Sequence, residues 1–282
     1  MIVTRDTTTR TPTPGSPARR LMIGLCNCGR PNAPRRPKCS CVRIDDTPPP
    51  IDTPDLAIYS QGEQLATGGI PSWDNPDIVT NDWRPFRLRQ EATVTIRNLS
   101  GTTSAANARV HFYTSPFGIG TRRQIRLTRV VNVDPAQQVD LLFPLHQEVL
   151  AGDPRTGVHI AIEHPTDRNG INNAGSQVHD GGYTTESGRT FNVSIPVLND
   201  SGVSRQIDLA VLPTDLVATI DPASRVFGPF EQVIATLHIE VPGFLSGSPA
   251  NEIARAVTVL ARAAGEMIGG ATRLLRIDNL TC

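Results

Sequence analysis

Apolar and polar residues alternate strictly along Glu91–Gly101 (EATVTIRNLSG), and again about a hundred residues later along Arg189–Gly202 (RTFNVSIPVLNDSG). Alternation places every second side chain on one face of a half-buried strand, and the Asn and Ser-Gly that follow supply turn chemistry. An echo of strand and turn at a fixed distance predicts two tandem β-sandwich domains.

The same pattern predicts further strands in the first domain at 55–60, 77–80, 88–98, 108–114, 125–133, 138–143 and 157–164, with a polar loop over 165–182. In the second it predicts strands at 190–198, 204–212, 217–220, 232–241, 255–263 and 271–277. Turn signals spaced by ten to fifteen residues are the rhythm of an all-β sandwich. Residues 253–267 (IARAVTVLARAAGEM) carry enough alanine for a helix, yet Ala256, Thr258 and Leu260 alternate against Val257 and Val259. We read a strand there, with Gly269-Gly270 as the hairpin turn. The fold class is therefore all-β, with one sandwich over 55–186 and another over 187–282. Ahead of them come an extended arm (1–20), a cysteine module (21–43) and a Pro-rich linker (44–54).

The order DLAIYS, NPDIV, EATVTIRNLSGTTSAANARVHFYTSP and GVHIAIEHPTDRNGINN resembles bacterial immunoglobulin-like domains of the CARDB type, which are adhesion-like modules. That family shows a strand xVTVxVxNxG, a small-residue turn, a V-x-x-Y strand and a late Asn-Asn. Asn98, Gly101, Val110, Tyr113, Asn172 and Asn173 fall on those positions. The resemblance spans about 55–200, with the second domain generically similar. It implies an immunoglobulin-like fold and a scaffold or binding role; the family is mostly exported.

Charge changes the picture more than composition does. The net charge is zero, but residues 1–43 hold eight Arg and Lys38 against Asp6, a balance of +8, so the remainder carries −8. A basic arm on an acidic body suits docking on a neighbouring copy, an anionic surface or nucleic acid. No run approaches the ~18 apolar residues of a membrane span. Arg19-Arg20 precedes only five apolar residues before Cys26, short of the ~7–15 of a signal core. The expectation is cytosolic synthesis into a particle or surface assembly.

Candidate chemistry concentrates in Cys26-Asn-Cys28 and Cys39-Ser-Cys41. Four thiolates could close a tetrahedral Zn²⁺ site that presents Arg30, Arg35, Arg36 and Lys38 on a basic knuckle. One residue between paired cysteines is closer than usual zinc spacing, and two disulfides across the pairs are the alternative. Cys282 reads as a terminal free thiol or an intermolecular partner. His159, Glu163 and His164 lie on a strand that splits them between faces. Asp167, Asn169, Asn172 and Asn173 could offer oxygens to Ca²⁺ but lack a full loop pattern, so turn stabilisation is favoured. His179-Asp180 reads as a turn. Trp73, Trp83 and Phe86 could stack on a glycan or partner, or pack an edge of the core. No nucleophile elbow, P-loop or dinucleotide fingerprint occurs.

These readings converge on a non-enzymatic structural or assembly protein. Its immunoglobulin-like domains form the scaffold, and its arm docks on homo-oligomeric or other structural subunits of a phage-like or bacterial surface assembly. The alternatives are an extracellular carbohydrate- or surface-binding adhesion module and nucleic-acid binding by the arm. The last is disfavoured because no aromatic residues interleave the basic ones.

Overall fold

The computed structural model describes residues 52–83, 86–145, 155–186, 189–241 and 252–278. The arm and the linker as far as residue 51, with Cys26, Cys28, Cys39, Cys41, Arg30, Arg35, Arg36 and Lys38, lie outside these residues, as do Cys282 and the Trp83 side chain. Asp52–Cys282 forms one compact unit.

The first sandwich packs two four-stranded sheets. One is built on β3 (Phe86–Asn98), which pairs with β1 (Leu56–Ala57), β2 (Ile78–Trp83) and β6 (Gln138–Pro144). The other runs β5 (Gln124–Val133), β4 (Ala105–Pro116), β7 (Thr156–Glu163), β8 (Ala174–Gln177). The predicted alternation is realised. Ala92, Val94 and Ile96 of β3 are fully buried against Val110 and Phe112 of β4 and Ile160 of β7. Phe112 stacks on Phe143 across the sheets, with centroids 4.8 Å apart. A short helix, α1 (Gln61–Ala66), is capped by Ser60, whose Oγ accepts from the Glu63 N–H at 3.3 Å. The buried Gln61 side chain ties α1 to β8, donating to the Ser176 carbonyl at 2.7 Å and accepting from the Ser176 N–H at 3.1 Å.

The second sandwich faces a three-stranded sheet, β10 (Thr190–Leu198), β14 (Gln232–Glu240), β12 (Val217–Asp221), against a five-stranded one. The latter runs β13 (Ser224–Phe227), β11 (Arg205–Val211), β15 (Glu252–Ala263), β16 (Glu266–Asp278), β9 (His179–Glu186). Strand β9 joins β16 in parallel, although it comes from a stretch read partly as loop and placed with the first domain. The stretch 253–267 is strand as expected except at a hairpin turn inside it, which falls earlier than Gly269-Gly270. Ala264 (φ 51°) and Gly265 (φ 85°) make the two-residue left-handed turn that suits strand twist, and Ala263 pairs with Glu266.

The sequence echo is a structural repeat. Val193, Ile195 and Val197 of β10 are buried as Ala92, Val94 and Ile96 are. At each strand end a buried asparagine fastens the corner. The Asn98 amide donates to the carbonyls of Thr103 (2.8 Å) and Val133 (3.0 Å) and accepts from the Ser100 N–H (3.1 Å). Asn199 donates to Val203 (2.9 Å) and Gly228 (2.7 Å) and accepts from the Ser201 N–H (3.1 Å).

Candidate functional site

The two sandwiches are joined by more than the chain between them. Beyond β4, Phe117 and Ile119 leave the first sandwich and enter the core of the second. The Ile119 N–H donates to the Pro196 carbonyl at 2.8 Å, and its carbonyl accepts from the Leu198 N–H at 2.9 Å, forming a one-residue parallel bridge to β10. Such an approach requires glycines. Gly118 sits at φ 140°, and a Cβ there would lie 2.5 Å from the Pro196 carbonyl oxygen; Gly120 (φ 69°) meets the Leu198 carbonyl in the same way.

Trp73 makes the second tie. It is 3% exposed and belongs to the second core. Its N–H donates to Thr272 Oγ1 at 2.8 Å, and its carbonyl accepts from the Val178 N–H at 2.9 Å. The indole covers Gly270, where a Cβ would come within 2.5–2.6 Å of three ring carbons. Gly269-Gly270 therefore serves close packing, and Trp73 sits inside the junction with its ring covered.

A cavity of about 380 Å³ lies at this junction, lined by Trp73, Gly118, Gly120, Gly269 and Gly270 together with Thr121, Arg123, His159, Asp200 and Arg205. His159 is 5% exposed. Its Nε2 is 3.0 Å from Ser115 Oγ and its Nδ1 2.9 Å from Ser176 Oγ. Burial holds its pKa well below the ordinary 6.5, and the Arg123 guanidinium adds to the effect. Arg205 reaches Asp200 at 3.0 Å.

A serine hydroxyl against a neutral imidazole is the raw material of covalent catalysis. Here the second ring nitrogen meets a hydroxyl where a carboxylate would steady an imidazolium, and Arg123 opposes the charge a general base must acquire. Ser115 Oγ also contacts Thr121 Oγ1 at 3.2 Å and the Pro116 carbonyl at 3.0 Å. The arrangement clamps β4, β7 and β8 together.

The other candidates disperse. Glu163 is exposed and pairs with His111 at 3.1 Å, while His164 Nε2 lies 3.1 Å from the Ala106 carbonyl. Asp167 accepts from the N–H groups of Asn169 (3.0 Å) and Leu56 (3.2 Å), and Asn172 donates to Asp55 at 3.0 Å, so this loop is held by its own polar groups. Asp180, read as a turn residue, lies in β9 and pairs with Arg273 at 2.6 Å, both side chains 7% exposed. Among the described residues no three His, Cys, Asp or Glu side chains gather as a metal site, and no helix is long and apolar enough to cross a membrane. Sequence reasoning passed over Ser115, Arg123, Asp200 and Arg205. The available signal was Gly118-Ile119-Gly120, a spacing that permits close backbone approach just before two arginines.

A different surface stands out on the first sandwich. Among the described residues β5 pairs with β4 along one side only and forms the edge of its sheet. Ile125 (57% exposed), Leu127 (36%) and Val130 (60%) face solvent along it. Arg126 donates to Thr114 at 2.7 Å, and Arg129 lies over the Phe143 ring at 5.5 Å.

This architecture defines an all-β protein of two immunoglobulin-like sandwiches. No protein-family model and no curated protein matches the chain. Solved structures similar to it include a PapD-like domain of human CEP192 (14% identity, 37% of this chain and 82% of that one, TM-score 0.26). Elastase-activated alpha-2-macroglobulin of Escherichia coli is another (12%, 80% of this chain and 22% of that one, 0.26), as is the CupB6 tip adhesin of Pseudomonas aeruginosa (6%, 68% and 89%, 0.24).

Proposed function

We propose that this protein is a non-enzymatic structural or assembly subunit that binds its neighbours by strand addition at β5. The observation that carries this reading is the edge itself: ten residues long, paired on one side only among the described residues, with apolar side chains exposed along it. An open edge templates pairing with another chain, and although β5 carries Arg126 and Arg129 and register shifts against β4, Ile125, Leu127 and Val130 stay exposed along it. The occupant we assign is an extended acidic segment of a neighbouring structural subunit, matched to Arg126 and Arg129. The +8 arm and the −8 remainder support a second contact of the same electrostatic kind.

The zinc knuckle at Cys26, Cys28, Cys39 and Cys41, with two disulfides as its alternative, belongs to this reading as the fold of the docking arm. So does the kinship with CARDB-type modules, which rests on Asn98, Gly101, Val110, Tyr113, Asn172 and Asn173.

Native mass spectrometry of the full chain tests the reading, with and without chelator and reductant. The comparison samples are a Val130→Lys variant and a chain lacking residues 1–43. We expect an oligomer that Val130→Lys dissociates to folded monomer, because an edge lysine blocks pairing. An oligomer indifferent to Val130→Lys, or a monomeric parent chain at every concentration, overturns it.

A further inference from the structure

We infer that the junction cavity is a binding site for a small organic monocarboxylate with a flat apolar body. The argument begins with charge. Arg123 and Arg205 contribute two positive charges to the lining and Asp200 one negative, while His159 is neutral and engaged on both ring nitrogens by Ser115 and Ser176. The lining thus carries one positive charge in excess. A monoanion balances it, whereas a phosphate dianion would leave a net negative charge facing Asp200.

Hydrogen-bonding capacity points the same way. Arg205 uses one terminal nitrogen on Asp200, and its Nε–H is buried without an acceptor among the described residues. Arg123 closes on no carboxylate among them. A guanidinium offers donors in a fixed fork that a planar carboxylate fits. Two such forks line the cavity, Arg205 with one terminal nitrogen on Asp200 and Arg123 closing on no carboxylate among the described residues, and together they form a receptor for that group.

Shape supplies the rest. Gly118, Gly120, Gly269 and Gly270 project no side chains into the space, and half-buried Ile268 provides the apolar wall, with the largely covered Trp73 and Val178 behind it. About 380 Å³ is at the small end of ligand pockets, enough for a ring or short chain carrying one acid group. The site lies between the two sandwiches, where binding sites recur in multidomain proteins. It is separate from β5 and does not depend on the assembly reading.

The test uses the full chain and three probes that share a ring: benzoate, the neutral benzamide and the dianionic phenyl phosphate, titrated by calorimetry and by saturation-transfer NMR. Benzoate is expected to saturate one site per chain and to outcompete the other two. Arg123→Gln should weaken benzoate on the order of tenfold, the loss of one charge-assisted contact. Asp200→Asn should strengthen phenyl phosphate relative to benzoate. Arg123 is solvent-exposed, so its variant should melt with the parent, and a melting curve on the same sample confirms that it is folded. No saturable benzoate binding, equal binding of benzamide, a preference for phenyl phosphate in the parent, or an Arg123→Gln affinity equal to the parent's would each overturn the inference.

Discussion

His159 shows how one residue links the interior of this protein to the pH around it. Its imidazole is sealed between two serine hydroxyls beside a guanidinium, so the folded state resists protonating it, while the unfolded chain accepts a proton near the ordinary 6.5. The folded pKa is therefore the lower one. The stability it contributes is complete above about pH 6.5 and is lost as pH falls toward the folded value, at up to about 1.4 kcal/mol per pH unit. Urea titrations between pH 7.5 and 5 should show this decline, and His159→Gln should flatten it across that window, above the range where carboxylates titrate. An unchanged slope in the variant would remove His159 as the cause. The sequence located this histidine on a strand but could not tell its surroundings. Ser115 and Ser176 are 44 and 17 residues away, and nothing in local pattern marks either as its partner.

At the level of elements, β3 and β10 were legible because their alternation is local, and the asparagine at each end was legible as turn chemistry. Less visible was that both asparagines do the same job, each joining a carbonyl of the turn that follows it to a carbonyl of a more distant segment, Val133 or Gly228. Each is buried, so removing either amide strands two carbonyls and an N–H away from water. Asn98→Ala and Asn199→Ala should each lower unfolding free energy by roughly 2–3 kcal/mol in urea denaturation, and by similar amounts. A cost below about 0.5 kcal/mol at either site would break the equivalence of the two corners. The β15–β16 hairpin turn was misplaced for a related reason. A Gly-Gly pair is the stronger turn signal in sequence, but the left-handed turn formed at Ala264-Gly265, and Gly270 was needed bare beneath an indole from residue 73. Such a contact leaves no trace within a window of a few residues.

For the whole molecule, the decisive feature is the junction, where Trp73, Phe117, Ile119 and Val178 from one half complete the apolar core of the other. Two sandwiches sharing buried side chains should unfold together, and calorimetry of the parent chain is expected to show a single transition. Gly118→Ala places a methyl against the Pro196 carbonyl at a φ that L-residues rarely adopt. It should cost about 1–3 kcal/mol and separate that transition into two. Two transitions already present in the parent would mean that the halves are thermodynamically independent despite their contacts.

The parallel pairing of β9 with β16 also sets how the second sandwich bears mechanical load. Tension between the first sandwich and the far end of β16 enters β9 at its start, near His179, and leaves β16 at its finish, near Asp278. Because the strands run the same way, those two points lie at opposite ends of the ladder. The pull then acts along the strands, and the hydrogen bonds joining them resist it together, where an antiparallel closing pair would be peeled open one bond at a time.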